Sequence, residues 1–196
     1  IEPEPCCVLE TTAETLTFFE RLRTRAAERK SLAQVEEHLG VCYDVCHQSV
    51  EFEDVAASIR SLQAAGIRIN KVHISCAIEA TFPTQDQTTR EALLRYIEPR
   101  YLHQTFGRTA SGIVKVMDLV PEMLTAPPAG FREASTWRVH FHVPVDAERI
   151  GPLKTTRPDL EPLGTLLIVL DEFSELLRIR PRLAETFDVV ARKGRG

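Results

Sequence analysis

The chain has 196 residues, 43% of them apolar and 27% charged, which suits one globular domain or a piece of a larger protein. A formal net charge of -4 argues against a dedicated nucleic-acid binder, because phosphate binding draws on a basic surface, so small molecules are the expected partners. No apolar run is long enough to span a membrane, and the odd set Cys6, Cys7, Cys42, Cys46 and Cys76 predicts reduced thiols in a cytoplasmic setting.

Short apolar runs alternate with longer amphipathic stretches, the pattern of repeated strand-helix units, and the expected class is α/β. Thr11-Thr12-Ala13-Glu14 is a capping box opening a helix whose apolar Leu16, Phe19 and Leu22 recur at three-residue steps. Residues 31–37 read as a further helical turn or two, 39–45 as a strand, and 51–65 as a helix stopped by Gly66. The chain extends again over 67–78, turns helical over 89–97, and is ambiguous between strand and helix over 101–106 and 113–120. Pro127-Pro128-Ala129-Gly130 predicts a loop, and 137–145 is the clearest strand.

Three of these stretches end in side chains of the metal-binding kind. Val41-Cys42-Tyr43-Asp44-Val45-Cys46-His47 sets Asp44 and His47 three residues apart, Lys71-Val72-His73-Ile74-Ser75 carries His73, and Arg138-Val139-His140-Phe141-His142-Val143-Pro144 carries His140 and His142. Carboxylate plus imidazole suits zinc, iron or manganese, and strand ends that each supply one or two such groups can build a site at a barrel mouth. Because strand side chains alternate, Arg138, His140 and His142 share a face opposite Val139, Phe141 and Val143, and Lys71, His73 and Ser75 share another. Glu2 and Glu4 have equal parity at the chain start. Asp44 and His47 converge where the strand turns into a helix. Each group has an ordinary structural reading: Asp44 as a helix N-cap, Glu2 as a solvated strand end, His38 and His103 as hydrogen-bonded histidines. Five or six of them gathered at strand ends favour a shared metal site. The cysteines, adjacent or four apart, read as inert thiols rather than as a redox or zinc-knuckle pair.

Glu2-Pro3-Glu4-Pro5-Cys6-Cys7, Leu9-Glu10-Thr11-Thr12, the run Leu39-Gly40-Val41-Cys42-Tyr43-Asp44-Val45-Cys46-His47-Gln48-Ser49-Val50-Glu51-Phe52-Glu53, and Trp137-Arg138-Val139-His140-Phe141-His142-Val143-Pro144 resemble the EboE metabolite traffic proteins over residues 1 to about 158. That family is similar to the xylose isomerase-like barrels, which include sugar isomerases, sugar-phosphate epimerases and endonuclease IV. The resemblance implies a partial (β/α) TIM barrel over 1–160, the later half of the fold, with Glu2 where a barrel-strand glutamate binds metal. It implies that Asp44 and His47 match an Asp-x-x-His pair, His73 a histidine on the next strand, and His140 and His142 an altered Asp-x-His pair. Such a barrel would continue with a further ligand glutamate after Thr156, and the incomplete form is expected to self-associate or to need a partner chain.

The expected chemistry follows. A divalent ion (Zn, Mn, Fe or Mg) held by a subset of Glu2, Asp44, His47, His73, His140 and His142 polarises a carbonyl or hydroxyl of a sugar or polyol metabolite, as an isomerase or epimerase would require. Glu4 is the nearest candidate base, Lys71 the candidate for an anionic substrate group, and Gln48 and His103 are weaker substrate contacts. Metabolite binding and transfer without turnover, or phosphoester hydrolysis of the endonuclease IV kind, are the alternatives.

Residues 161–196 carry a different resemblance. Leu166-Leu167-Ile168-Val169-Leu170-Asp171-Glu172 and the following helix-like stretch look like the Walker B region of FtsK/SpoIIIE-type ATPases of type VII secretion, which implies a strand and helix of separate origin. No Gly-x-x-x-x-Gly-Lys-Ser/Thr loop occurs in the chain, so ATP hydrolysis is not expected. Glu172 is instead a candidate to replace the missing ligand glutamate, and the Arg-rich end from Arg178 reads as a solvated helix face.

Overall fold

In the computed structural model, which describes residues 1–163, Thr11 opens helix α1 (Thr12–Glu28) through the reciprocal bonds of a capping box: its hydroxyl accepts from the Glu14 N–H, and the Glu14 carboxylate accepts from the Thr11 N–H. Helix α2 (Leu32–His38) follows, and the chain then enters strand β1 (Val41–Asp44) through Gly40. A Cβ at Gly40 would lie 2.6 Å from the Arg68 carbonyl oxygen, so the close approach of the two backbones there requires glycine. Strand β1 leads into α3 (Val45–Val50) and α4 (Val55–Ala64), and β2 (Ile69–His73) returns parallel to β1.

The β1–β2 pairing slips by one residue after Val41, leaving Asn70 as an extra residue in β2. This bulge brings His73 opposite Asp44; an unbroken register would have set Val72 there and moved the imidazole to the other face. The chain start joins the same edge. The Ile1 ammonium donates to the Gly40 carbonyl at 3.0 Å and the Cys42 N–H donates to the Ile1 carbonyl at 2.8 Å, the two bonds of a parallel bridge between Ile1 and Val41, which sets Glu2 level with Cys42.

A break at Ile74 and Ser75 separates β2 from β3 (Cys76–Thr81). Helix α5 (Gln87–Leu94), the hairpin β4 (Thr105–Thr109) and β5 (Gly112–Val116), and the short helices α6 (Pro121–Thr125) and α7 (Ala129–Glu133) come next. Strand β6 (Thr136–Val143), the small hairpin β7 (Arg149–Ile150) and β8 (Leu153–Thr155), and a 3-10 turn (Arg157–Leu163) complete the described chain. Six strands form one sheet in the order β5-β4-β6-β3-β8-β7, every adjacent pair antiparallel. The apolar face of β6 (Trp137, Val139, Val143) packs with Ile78, Ala80, Leu93, Leu119 and Phe131 into the larger core. Tyr43, Val45, Phe19, Val55 and Leu62 form a second core around β1, α1 and α4.

The α/β class is present, and several expectations need revision. Among the described residues the strands do not close into a barrel, and β1–β2 is the parallel pair while the larger sheet is antiparallel. Alternation of apolar runs with helices reports the spacing of elements and says nothing of strand direction. The helix expected over 51–65 begins at Val55, because the Asp54 carboxylate caps it by accepting from the Ala57 N–H, and Phe52, at φ 62°, turns the chain between α3 and α4. The extended stretch 67–78 is two strands. Of the loop expected at Pro127-Pro128-Ala129-Gly130, Ala129 and Gly130 instead open α7, with Pro128 at the N-cap position. No described helix is long and apolar enough to cross a membrane. The strand and helix expected beyond residue 163, with Asp171, Glu172 and the Arg-rich end, lie outside the described residues.

Candidate metal centre

Asp44 is the hub. It ends β1 and caps α3: its Oδ1 accepts from the Cys46 N–H at 2.8 Å and the His47 N–H at 3.4 Å, and from the Ser75 hydroxyl at 3.2 Å. These donors fix the carboxylate and leave Oδ2 facing the histidines. Oδ2 lies 3.2 Å from His73 Nδ1, 3.8 Å from His47 Nε2 and 3.9 Å from His142 Nε2. The carboxylate is 1% exposed, so an unneutralised charge there would be costly, and the imidazoles around it supply donors or, with a cation, a shared counter-charge.

His47 sits in the first turn of α3, as the three-residue step requires. Its Nδ1 lies 3.0 Å from the Pro3 carbonyl oxygen, which can only accept, so Nδ1 carries a proton and the neutral ring presents its lone pair at Nε2. On β6, His140 Nδ1 lies 2.8 Å from Gln104 Oε1, whose amide nitrogen donates to Glu4 Oε1 at 3.4 Å. That arrangement again places the proton on Nδ1 and turns His140 Nε2 inward. It meets His142 Nε2 at 3.1 Å, and the His47 and His140 rings meet edge to face with centroids 4.6 Å apart. Two lone pairs at that distance repel, so in the ion-free protein one His142 proton must lie between them. A cation would take that proton's place.

The distances suit one ion. Ligands about 2.1 Å from a tetrahedral or octahedral centre stand about 3 to 3.5 Å apart. Asp44, His47 and His142 form a group whose ligand atoms all lie within 4.8 Å of one another, as do Glu4, His47 and His140. Burial pushes His140 down to about 3, the neighbouring His47 and His142 rings adding to the effect, and burial lowers His142 as well. Both shifts favour the neutral rings that metal binding requires, and a metal at His142 Nε2 would need only the ring's remaining proton to move to Nδ1.

Glu2 and His73 occupy the far side of Asp44, with Glu2 Oε1 3.2 Å from His73 Nδ1. The floor of the cluster is Asp44, His47 and His140. Its rim is Glu2, His73 and His142, whose side chains are 39%, 30% and 49% exposed, so one side is open to solvent. All six expected ligands are thus brought together, and Glu4 lies at the edge, its Oε1 4.0 Å from His140 Nδ1. Lys71 is exposed opposite Cys42, on the face of β2 that His73 shares.

Two expected substrate contacts sit elsewhere. Gln48 is buried with its amide directed to the Glu10 carbonyl. His103 is 3% exposed and stacked on Phe141, its ring centroid 5.2 Å away, on the apolar side of β6. Sequence reasoning missed Gln104, Ser75 and Cys42. Gln104 faces His140 because the β4–β6 pairing continues to the bond from the His140 N–H to the Gln104 carbonyl, a long-range register. Ser75 had a visible signal, its parity with His73. Cys42 shares parity with Asp44 along β1, and its Sγ lies 3.7 Å from His73 Nδ1.

Comparison of the chain with protein-family models, with curated proteins and with solved structures returns no match.

Proposed function

We propose that this protein is a metal-dependent isomerase- or epimerase-like protein acting on a sugar or polyol, related to the EboE metabolite traffic proteins. In this reading residues 1–160 are part of a xylose isomerase-like barrel. The β1–α3–α4–β2 unit and the parallel bridge from Ile1 to β1 are consistent with that origin, and ligands at the ends of these strands are where such barrels place their sites. The observation that carries the reading is the fixed tautomer pair: His47 and His140 each commit Nδ1–H to a backbone or amide oxygen and aim Nε2 inward. Metal-binding histidines are oriented in this way.

Asp44, His47, His140 and His142 would hold the ion, which supplies Lewis-acid polarisation of a substrate oxygen. The chain's own groups do the rest. The open rim between Glu2 and His142 admits the substrate, Glu4 accepts or returns a proton at the edge of the cluster, and Lys71 offers a cation to an anionic substituent. The test is elemental analysis of wild type, His47→Ala and His140→Ala after equilibration with zinc or manganese. A near-stoichiometric ion lost in both variants is the expected result. It would be followed by exchange of solvent deuterium into candidate aldoses and ketoses. A stoichiometric ion with no exchange would move the reading to metabolite binding and transfer, and a folded wild type that holds no ion would overturn it.

A further inference from the structure

Helix α3 ends in a backbone pattern that ordinarily calls for glycine. The Phe52 N–H donates to the Ser49 carbonyl at 2.9 Å and the Glu53 N–H to the Gln48 carbonyl at 3.1 Å, the two bonds of a Schellman cap with Phe52 at its left-handed position, φ 62°. Glycine adopts that conformation freely and a residue with a Cβ does not, so the reason for a phenyl ring there lies in what it touches. It touches two cations. The guanidinium carbon of Arg108 lies 4.2 Å from the ring centroid and that of Arg138 lies 4.6 Å away. Phe106 faces Arg138 across β4 and β6, so Arg108, two residues along β4, projects from the same face of the sheet. The two charges are met differently. Arg138 is paired with Glu79 and Asp159, whereas the exposed Arg108 has no carboxylate partner among the described residues and one hydrogen bond, from Nη2 to the Phe52 carbonyl at 3.5 Å. Stacked on the ring and tied to that carbonyl, the Arg108 fork is held in place with most of its N–H groups unspent.

Both arginines border a cleft of about 330 Å³ that Phe52, the start of α4 and the 3-10 turn enclose, a volume that suits a small ligand. Three carboxylates line it as well, and two of them are already engaged. Glu53 accepts from the Thr12 N–H and hydroxyl, and Asp159 accepts from Arg138. Asp54 is exposed and caps α4 through Oδ1 alone, which leaves Oδ2 to face a ligand. The uncommitted groups are thus one guanidinium and one carboxylate oxygen. A phosphate dianion would satisfy Arg108 and be repelled by three carboxylates, and a simple amine would satisfy Asp54 and leave Arg108 unanswered. We propose that this cleft binds a free α-amino acid, with its carboxylate forked on Arg108, its ammonium on Asp54 Oδ2 and its side chain along Val55 and Pro158. The site is independent of the metal reading, since neither Arg108 nor Asp54 belongs to the candidate ligand cluster.

The test is calorimetric titration of the full chain with the common L-amino acids, one at a time, with a chelator present so that no ion in the histidine cluster can take the ligand. At least one is expected to bind with a dissociation constant below about 10 mM. Its methyl ester, which lacks the carboxylate charge, and its analogue without the amino group should each bind about tenfold more weakly or worse. Arg108→Gln should weaken binding to the same degree. Asp54→Asn, which keeps an N-cap side chain on α4, should weaken it too while circular dichroism reports an unchanged fold. No binding by any of the amino acids to the folded wild type overturns the proposal, as does unchanged affinity in Arg108→Gln. Inorganic phosphate that binds more tightly than every amino acid overturns it by assigning the cleft to a dianion.

Discussion

Asp44 meets two demands with its two oxygens. Oδ1 caps α3 and Oδ2 serves the histidines, so the capping role and the ligand role are separable by substitution. In Asp44→Asn the amide oxygen still accepts from the Cys46 N–H, whereas Asp44→Ala leaves that donor bare. Both variants should lose bound metal in equilibrium dialysis. In the metal-free protein Asp44→Ala should be about 1 kcal/mol less stable than Asp44→Asn in urea denaturation. Equal stability of the two would mean that the cap contributes nothing. At this scale most of the site could be read from the chain, because period-two alternation places His140 with His142 and the Asp-x-x-His step spans a strand end and a first helical turn. Gln104 could not be read that way. Its role depends on which residue of β6 it faces, and no local pattern fixes that register.

At the scale of elements, β6 divides the molecule: Trp137, Val139 and Val143 enter the core while Arg138 and His140 look the other way. Arg138 belongs to the histidine face without being part of the candidate ligand cluster. Its guanidinium bonds Glu79 and Asp159, donates to the Ser49 carbonyl at 2.7 Å and lies over the Phe52 ring at 4.6 Å, joining β3, α3 and the 3-10 turn. Replacing it with methionine keeps the packing stem and strands two partly buried carboxylates, so Arg138→Met should cost about 3 kcal/mol in a denaturation midpoint experiment. A loss below about 0.5 kcal/mol would show that solvent screens the pair as at an open surface. Some elements are foreseeable from caps and periodicity, as with the helix after Thr11 and the strand carrying His140, whereas β4 and β5 read ambiguously and α6 and α7 carry no such signal. Strand direction is not foreseeable, since β3, β4 and β6 read alike whether they run parallel or antiparallel. The break at Ile74 and Ser75 also carries no glycine or proline to announce it.

For the whole molecule, pH acts through a few buried groups of opposite sense. Glu51 is 7% exposed, neither carboxyl oxygen has a hydrogen-bond partner among the described residues, and burial, with the charges of Glu53 and Glu10, pushes it up to about 9. Its folded pKa exceeds the ordinary 4.5, so the folded state holds a proton that the unfolded chain releases, and stability falls as pH rises from 4.5 to 9. At 1.36 kcal/mol per pH unit this reaches up to about 3 kcal/mol by pH 7. His140 works in reverse. Its folded pKa is depressed from 6.5 to about 3, so the stability that its neutral form contributes is present above pH 6.5 and is lost as pH falls toward 3. The melting temperature should therefore decline from pH 6.5 to 9 and also in acid, and Glu51→Gln should flatten the alkaline limb while leaving the acid limb in place. An unchanged alkaline limb in Glu51→Gln would remove Glu51 as its cause. The clustered ligands carry a last consequence, in time rather than in equilibrium. Asp44 and His47 lie about a hundred residues before His142, and a cation held between the three would close a long loop. The loaded molecule would then unfold no faster than it lets go of its metal, so its lifetime would be set by a ligand-exchange rate rather than by the packing of its core.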